Sequence, residues 1–196
     1  MAKIDRTAIT TAALAIIEQQ APVELTLSAI ARELDVTQPA MYYHVDGLDD
    51  ILRWVGIAVR SDLVDVLSKS TIGLSGNWAV RAVANAWRTF SQTHPALYKS
   101  TDWHPVEGCR ELEASVGNVL AVLAGSLRGF ALTEDQRVNA ALALRSTLHG
   151  FCSFEVGAGN PGPQSADDSF THVVELLLNG VRALADGSIP ELKAAG

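Results

Sequence analysis

Residues Leu25 to Leu52 read LTLSAIARELDVTQPAMYYHVDGLDDIL, and this stretch decides how the rest of the chain is interpreted. Apolar residues recur in its first part at positions i, i+3, i+4 and i+7: Leu27, Ile30, Ala31 and Leu34. This spacing predicts a short helix with one apolar face. Thr26 is expected to cap the N-terminus of that helix. Asp35 follows at a point where the chain needs a left-handed residue, which Asp tolerates better than most residues.

A second short helix is predicted from Gln38 to about His44, directly after the turn. Thr37 is expected to cap it, and Pro39 lies in its first turn, where a missing N–H group has no cost. Ala40 and Met41 can pack inward, whereas the remaining side chains are hydrogen-bonding or aromatic groups. A helix of this kind suits insertion into the major groove of DNA. An ordinary surface helix of a helical domain is the alternative, because helix-turn-helix shapes also occur in proteins that bind no DNA.

The run from Leu25 to Val45 resembles the DNA-binding domain of the TetR family of bacterial repressors. The resemblance covers roughly residues 5 to 60, and the segment Met41–Val45 is its most specific part. It implies an all-helical homodimer in which three N-terminal helices recognise DNA. It further implies a larger C-terminal domain that binds a small ligand and forms the dimer.

Two positions depart from the family pattern. The family usually has Gly in the turn where this chain has Asp35, and it usually has a phosphate-binding Lys where this chain has Leu48. The first change is conformationally tolerable. The second removes one contact to the DNA backbone.

The charge of the N-terminal region is unfavourable for DNA. Residues 1–50 contain three cationic side chains and eight carboxylates, and the whole chain has a net charge of −7. A DNA-binding surface normally concentrates positive charge, so we expect few neutralised phosphates and a shallow dependence of affinity on salt. The expected DNA contacts come mainly from the two short helices and the N-terminal arm: Lys3, Arg6, Thr26, Thr37, Gln38, Pro39, Ala40, Tyr42, Tyr43 and His44. Gln38 is expected to favour an adenine edge.

Composition predicts an all-α protein. The 196 residues are 48% hydrophobic, rich in Ala and Leu and poor in β-branched runs. No apolar run reaches membrane-spanning length and no leader segment is evident, so we expect a cytoplasmic protein without a membrane partner. Cys109 and Cys152 lack a CxxC spacing, which favours two reduced thiols.

The chain is expected to divide into a helix-turn-helix DNA-binding domain, residues 1–47, and a helical regulatory domain, residues 48–196. A first helix over residues 4–19 should hold the helix-turn-helix rigid, with one apolar stripe formed by Ile9, Ala13, Ile16 and Ile17. A long helix over about residues 46–68 should join the two domains, with Leu52, Val55, Val59, Leu63 and Val66 along one side. Small tilts of that helix would change the spacing of two recognition helices in a dimer.

Further helices are predicted over about residues 77–93, 96–103, 107–130 and 133–156, followed by a last helix capped by Ser165 or Asp167. Thr133 and Gln136 have the spacing of a capping box at the start of the helix over residues 133–156. The segment AWRTFSQTHPALY, residues 86–98, together with the pair His149-Gly150, resembles a C-terminal domain type of TetR-family regulators named for tryptophan, histidine and glycine. Two C-terminal helices from each subunit should form a four-helix dimer interface. The expected interface residues are Phe154, Phe170, Val173, Val174, Leu177, Leu178 and Val181. A last helix buried in a monomer core is the alternative.

The regulatory domain holds nearly all of the aromatic residues, and these could line an apolar cavity. Its expected ligand contacts are Trp87, Phe90, Tyr98, Trp103, Leu123, Arg145, His149 and Cys152. We expect a small, largely apolar ligand that weakens DNA binding when it binds there. For each aromatic residue taken alone, an ordinary position in the core is the favoured interpretation, and the cavity is a hypothesis about the set as a whole.

The sequence offers little for catalysis or cofactor binding. Residues 157–162 match GxGxxG, but they follow a predicted helix rather than a strand, so we interpret them as a helix-ending loop. The five histidines show no ligand spacing, and no nucleophile motif appears. We therefore expect no enzyme, no cofactor and no metal.

These observations together predict a dimeric TetR-like repressor that binds a palindromic double-stranded DNA operator and is released by a small-molecule effector. The alternative is a helical ligand- or protein-binding regulator whose DNA binding is weak or lost, in keeping with the acidic N-terminal region and Leu48.

Overall fold

The computed structural model describes residues 4–19, 25–102, 107–157 and 165–189, and the regular secondary structure in these ranges is helical throughout. The predicted all-α fold is confirmed. The helices are α1 Arg6–Gln19, α2 Leu27–Glu33, α3 Gln38–Met41, α4 Leu48–Ser70, α5 Gly76–Thr93, α6 Pro95–Ser100, α7 Arg110–Ser126, α8 Glu134–Gly157 and α9 Ala166–Ala185. No helix in these ranges combines the length and apolar character that crossing a membrane requires.

The helices pack as two units. The first unit contains Met1–Leu63 and Thr93–Gly117, and the second contains Val64–Gln92 and Asn118–Gly196. Helices α4 and α7 each supply residues to both units. The functional division predicted after residue 47 stays a prediction. In the structure, residues 93–102 and 107–117 belong to the same packing unit as the N-terminal helices.

The core of the first unit is formed largely by α1 and α4. The predicted stripe of α1 is buried: Ile9, Ala13, Ile16 and Ile17. Along α4 the buried apolar residues of this unit are Ile51, Val55, Val59 and Leu63, and Leu67 is buried in the second unit. The prediction placed Leu52 and Val66 on this side, but Leu52 is half-buried and Val66 is exposed. Apolar neighbours stand side by side at both places, so periodicity could not decide which of the two faces the core.

The short helix α6 is held to α4 by a buried guanidinium. Arg60 donates to the carbonyl oxygen of Thr101 at 2.6 Å and to that of Gly56 at 3.0 Å. Thr101 is the C-cap of α6, where unpaired carbonyl groups favour a cation. Near the start of α6, a ring nitrogen of His94 lies 2.5 Å from a carboxylate oxygen of Glu18 on α1.

The second unit has an aliphatic and aromatic core. Its buried side chains include residues of four helices: Val83, Trp87, Phe90, Leu123, Leu148, Cys152, Phe170, Val174 and Leu178. The sequence placed Trp78 and Phe154 among the residues that could line an internal cavity. Both are exposed in the structure, so neither lines an interior space of this chain.

The predicted N-caps of the last two long helices are confirmed. The backbone N–H of Gln136 donates to the hydroxyl of Thr133 at 3.2 Å, and the N–H of Thr133 donates to the Gln136 carboxamide at 2.9 Å. This reciprocal pair is a capping box. Ser165, rather than Asp167, caps α9 by accepting from the backbone N–H of Asp168 at 3.1 Å.

One arginine joins three helices of the second unit. Arg88 on α5 pairs with Glu155 of α8 at 2.6 Å and with Asp167 of α9 at 2.7 Å. Its guanidinium also lies 5.8 Å from the ring centre of Phe151 and 4.9 Å from that of Phe170, within cation–π range. The hydrogen bond from Arg88 is the main reason that the pKa of the Glu155 carboxyl is lowered.

The structure also corrects several predicted helix ends. Helix α6 ends at Ser100, and α7 spans Arg110–Ser126 instead of the predicted residues 107–130. Gly157 is the last residue of α8, and the remainder of the GxGxxG match lies outside the described residues.

Candidate functional site

The helix-turn-helix is built by local hydrogen bonds that the sequence predicts. The hydroxyl of Thr26 accepts from the backbone N–H of Ala29 at 3.1 Å and so caps α2. Asp35 has a φ of 54°, so it takes the left-handed conformation expected of it. The N–H of Val36 then donates back to the carbonyl oxygen of Ala31 at 2.9 Å. These bonds fix the direction in which the chain enters α3.

Helix α3 is shorter than predicted. It ends at Met41, and residues 42–44 form a turn in which the N–H of His44 donates to the carbonyl oxygen of Met41 at 2.8 Å. Pro39 lies in the first turn, as predicted. Thr37 occupies the N-cap position, but its side chain makes no capping hydrogen bond, so that part of the prediction is wrong.

The exposed surface of this region is polar and aromatic. Met41 and Val45 are buried and hold the segment to the first unit. Tyr42 is 56% exposed and Tyr43 is 88% exposed, although aromatic rings are usually at least partly buried in a protein. The other predicted contacts also reach solvent, with Ala40 half-buried and the rest exposed: Thr26, Thr37, Gln38, Pro39 and His44.

A concave surface that encloses a volume of about 460 Å³ lies at the turn between α2 and α3. It is lined by Ser28, Ala31, Arg32, Asp35, Val36, Thr37 and Gln38. The hydroxyl of Ser28 donates to the carboxamide oxygen of Gln38 at 2.5 Å. Ser28 and Arg32 were not among the predicted site residues. Arg32 could have been found as one of the few cations of this region, whereas nothing in the spacing pointed to Ser28.

Two other cations of the first unit, Arg6 and Arg53, are paired with carboxylates. Arg6 makes two hydrogen bonds to Glu111, of 2.9 and 3.3 Å, and its guanidinium lies 5.0 Å from the ring centre of Trp54. The hydrogen bond from Arg6 lowers the pKa of the Glu111 carboxyl. Arg53 pairs with Asp50. Lys3, the other predicted contact of the N-terminal arm, lies outside the described residues.

The predicted ligand residues are not all brought together. Trp87, Phe90, Leu123 and Cys152 are buried in the second unit, and Arg145 and His149 are half-buried there. Tyr98 is buried in the first unit, and Trp103 lies outside the described residues. Burial raises the pKa of the Cys152 thiol to about 11, so this side chain is a neutral core group at physiological pH.

A cleft of about 400 Å³ lies elsewhere in the second unit, between α8 and α9. Its lining is Val80, Leu127, Ala140, Ala143, Leu144, Thr147, Val173, Leu176, Leu177, Gly180, Val181, Leu184 and Ile189. None of the predicted ligand residues is in this set, whereas three of the predicted dimer residues are: Val173, Leu177 and Val181.

The predicted dimer residues fall into two groups. Four are buried within their own protomer: Phe170, Val174, Leu178 and Val181. Val173 and Leu177 are half-buried, and Phe154 is exposed. The apolar stripe of α9 is wide enough to cover two faces of the helix, which the sequence pattern alone did not separate. Leu176, 70% exposed, was missed.

Comparison with known proteins identifies the family. Residues 80–177, half of the chain, match the model of the tetracyclin repressor-like C-terminal domain. The HTH-type transcriptional regulator Rv0681 of Mycobacterium tuberculosis is 32% identical over 181 residues, which is 92% of this chain and 83% of that protein. The chain belongs to the TetR family of transcriptional regulators. The predicted resemblance is therefore confirmed.

Two solved structures show the same fold. BioQ bound to its double-stranded DNA operator superposes with a TM-score of 0.71 at 19% identity, over 92% of this chain and 99% of that one. A single-residue variant of TetR from Acinetobacter baumannii in complex with minocycline gives a TM-score of 0.69 at 17% identity, over 93% of this chain and 99% of that one. The TetR fold thus extends over both packing units.

The described residues also include no candidate metal site. No group of three or more His, Cys, Asp or Glu side chains within the described ranges is arranged to hold a metal ion. Both cysteines are free thiols, as the spacing predicted.

Proposed function

We propose that this TetR-family protein is a dimeric transcriptional repressor that binds a palindromic double-stranded DNA operator through α2 and α3. The observation that carries the proposal is the surface of α3 and of the turn that follows it, which buries Met41 and leaves Gln38, Pro39, Tyr42, Tyr43 and His44 in solvent. Exposed tyrosines are costly for an unpartnered surface, and they are common where a protein contacts a partner. The proposed location of the protein is the cytoplasm, because its operator DNA is found there.

Recognition would begin with the small residues of α3. Pro39 and Ala40 allow the backbone to approach the base edges, and Gln38 can make two hydrogen bonds to an adenine. Tyr42 and Tyr43 can contact a thymine methyl group or donate to a phosphate. Arg32 and Thr37 line the concave surface at the turn, and both side chains, like the exposed hydroxyl of Thr26, are suited to phosphate oxygens.

The partner in the dimer would be a second copy that covers α8 and α9. Leu142 and Phe154 are exposed on α8, and Leu176 is exposed on α9. Val173 and Leu177 continue the same surface as half-buried lining of the cleft. The proposed four-helix interface therefore uses these residues, whereas Phe170, Val174, Leu178 and Val181 stabilise each protomer internally. To bind both halves of an operator on one face of the duplex, the dimer must hold its two recognition helices about 34–36 Å apart.

The proposed effector is a small, largely apolar molecule that binds in the second unit around Trp87, Phe90 and Leu123, with Arg145 and His149 as its polar contacts. To move the protein from mostly bound to mostly free of DNA, the effector must prefer the released conformation by roughly 5 kcal/mol. Apolar compounds that raise the unfolding temperature of the wild-type protein but not of the His149→Ala variant, and that also release operator DNA, would support this assignment. No catalytic role is proposed.

DNA binding is tested by a gel shift with the DNA that flanks the protein's own gene. The wild-type protein should bind this DNA and not a scrambled duplex. The double variant Gln38→Ala/Tyr42→Phe should lose most of the specific binding, since both altered groups belong to the groove-facing surface. Ser61→Ala, an exposed hydroxyl substitution on α4, is the matched control. Undiminished specific binding by the double variant would contradict the assignment.

A second candidate function rests on the paired cations of the first unit. Arg6 is bound to Glu111, Arg53 is bound to Asp50, and Leu48 replaces the family's phosphate-binding lysine. These features suit a helical ligand- or protein-binding regulator with weak or lost DNA binding. Compound binding without retention of any DNA at low salt would favour this candidate over the first.

A further inference from the structure

The side chain of Gln38 on α3 is hydrogen-bonded to α2. Its carboxamide oxygen lies 2.5 Å from the hydroxyl oxygen of Ser28, which occupies the second position of α2. A separation this short is typical of an O–H···O bond and shorter than is usual for N–H···O. The Ser28 hydroxyl is therefore the donor and the carboxamide oxygen is the acceptor. Both residues line the same concave surface at the turn.

This bond leaves a defined set of hydrogen-bonding groups for a partner. A glutamine side chain offers one oxygen with two lone pairs and one NH2 group with two donors. Ser28 occupies one lone pair, so Gln38 retains one acceptor site and both N–H donors. An adenine edge in the major groove presents one donor, N6–H, beside one acceptor, N7, whereas guanine presents two acceptors. The acceptor and donor that remain on Gln38 match adenine.

We propose that Ser28 is a positioning residue that orients the Gln38 carboxamide for adenine in each half of the operator. The inference rests on the proposed function, because it requires α3 to enter the major groove. Without Ser28, the carboxamide can turn and present its NH2 group to the two acceptors of guanine. With Ser28, that turn breaks a hydrogen bond that becomes stronger when docking on DNA excludes water.

Orientation before binding also favours affinity for the correct site. A long polar side chain loses rotamer freedom when it is fixed against a base. In this protein part of that freedom is already lost before DNA arrives. Ser28 therefore lowers the entropic cost of the contact with the correct base, and it resists the rotation that the wrong base would require.

The test is a measurement of base preference. Operators are first selected from random duplexes with the wild-type protein, and the position read by Gln38 is found as the one whose preference is lost in Gln38→Ala. Dissociation constants are then measured for duplexes with A·T or G·C at that position. Ser28→Ala should reduce the A-over-G discrimination about three- to tenfold, the range expected for one hydrogen bond. Ser28→Thr retains the hydroxyl and should restore discrimination.

Two controls separate positioning from a structural role. Adding Ser28→Ala to Gln38→Ala should change the discrimination no further, because Ser28 acts through Gln38. The unfolding temperature of Ser28→Ala should equal that of the control Ser61→Ala.

Three outcomes would overturn the inference. If Ser28→Ala leaves the A-over-G discrimination unchanged while Gln38→Ala abolishes it, this inference is overturned and the proposed function is not. An equal loss of affinity for both duplexes in Ser28→Ala would also overturn it, since that result marks a phosphate or folding role. Failure of the wild-type protein to select any sequence would overturn the proposed function and this inference together.

Discussion

Helices α3 and α9 present two opposite kinds of surface. Helix α3 buries one side chain, Met41, and is followed by two exposed tyrosines. Helix α9 buries Phe170, Val174, Leu178 and Val181, and still exposes Leu176. A polar and aromatic surface suits the hydrated edges of DNA, whereas an aliphatic surface suits another protein surface. The two surfaces therefore suit two different kinds of partner.

The two regions are also held in different ways. The direction of α3 depends on backbone hydrogen bonds around Asp35 and on the buried side chains of Met41 and Val45. The position of α9 depends on extensive apolar burial and on the ion pairs of Arg88. Substitutions in the second unit should therefore change stability and assembly, whereas substitutions near α3 should change DNA affinity with little effect on folding.

The largest effect is expected from Leu176→Glu. Its side chain is exposed in the protomer, so the fold should tolerate glutamate, but burying that charge against a second copy is costly. We expect a monomer by analytical ultracentrifugation and a loss of operator affinity of about 100-fold or more, because the two half-sites are no longer bound together.

Ile72→Glu is the matched control for that prediction. Ile72 is an equally exposed apolar residue of the second unit, but it lies in the turn after α4 rather than on α8 or α9. It should leave the dimer intact. A dimeric Leu176→Glu variant would show that the exposed face of α9 is not the interface.

The second prediction concerns close packing in the second unit. A Cβ atom added at Gly129 would lie 2.4 Å from the backbone nitrogen of Gly76 and 2.8 Å from its Cα. Gly129→Ala should therefore lower the free energy of unfolding by about 1–3 kcal/mol, as overpacking does. Gly125→Ala in α7 is the control, since its Cβ meets nothing within 4 Å and alanine favours the helix. Equal thermal unfolding of the two variants would contradict the close contact.

The third prediction concerns Glu155, whose pKa is lowered by the hydrogen bond from Arg88. A carboxyl with a lowered folded pKa stabilises the protein above its unfolded pKa, and that contribution is lost as pH falls through the folded pKa. Glu155→Gln should lower the free energy of unfolding at pH 7 by about 1.5–3 kcal/mol, the range for a hydrogen bond to a charged group. The difference from wild type should shrink in urea titrations below about pH 4.

Asp167→Asn is the control for Glu155→Gln. Asp167 pairs with the same arginine, but its side chain is largely exposed. The Arg88–Asp167 pair should contribute less than about 1 kcal/mol to the free energy of unfolding. If Asp167→Asn lowers the free energy of unfolding more than Glu155→Gln does, then burial does not decide the strength of these two ion pairs.

The smallest effect is expected from Glu111→Gln. This change releases Arg6 from its carboxylate partner, so Arg6 can bind a phosphate. Operator affinity should rise by about two- to fivefold, since an exposed ion pair is weak. The salt slope should steepen by about two for a dimer, at about 0.9 per added phosphate contact. Glu107→Gln makes the same charge change at an exposed position nearby, and an equal rise there would show that Arg6 is not the cause.

Local features of the fold could be predicted because neighbouring residues determine them. The cap at Thr26, the left-handed Asp35 and the capping box at Thr133 each depend on three or four consecutive residues. The recognition segment could also be placed, although its helix ends at Met41 because the following residues form a turn.

Long-range pairs could not be predicted from spacing. The partner of Arg6 is 105 residues away, and Arg88 meets Glu155 only when α5 and α8 pack together. The Ser28–Gln38 bond spans ten residues, but it depends on how the turn brings the starts of α2 and α3 together. The wide stripe of α9 likewise gave no indication of which of its residues remain outside the protomer.

The most direct test of the central claim is selection of binding sites from random duplexes by the purified wild-type protein. The account predicts an inverted repeat whose half-sites lie about 10 base pairs apart, with adenine at the position that Gln38 contacts. It also predicts that Gln38→Ala abolishes that preference. Binding without sequence preference, or a selected site that Gln38→Ala and Tyr42→Phe leave unchanged, would contradict the claim that α3 recognises DNA.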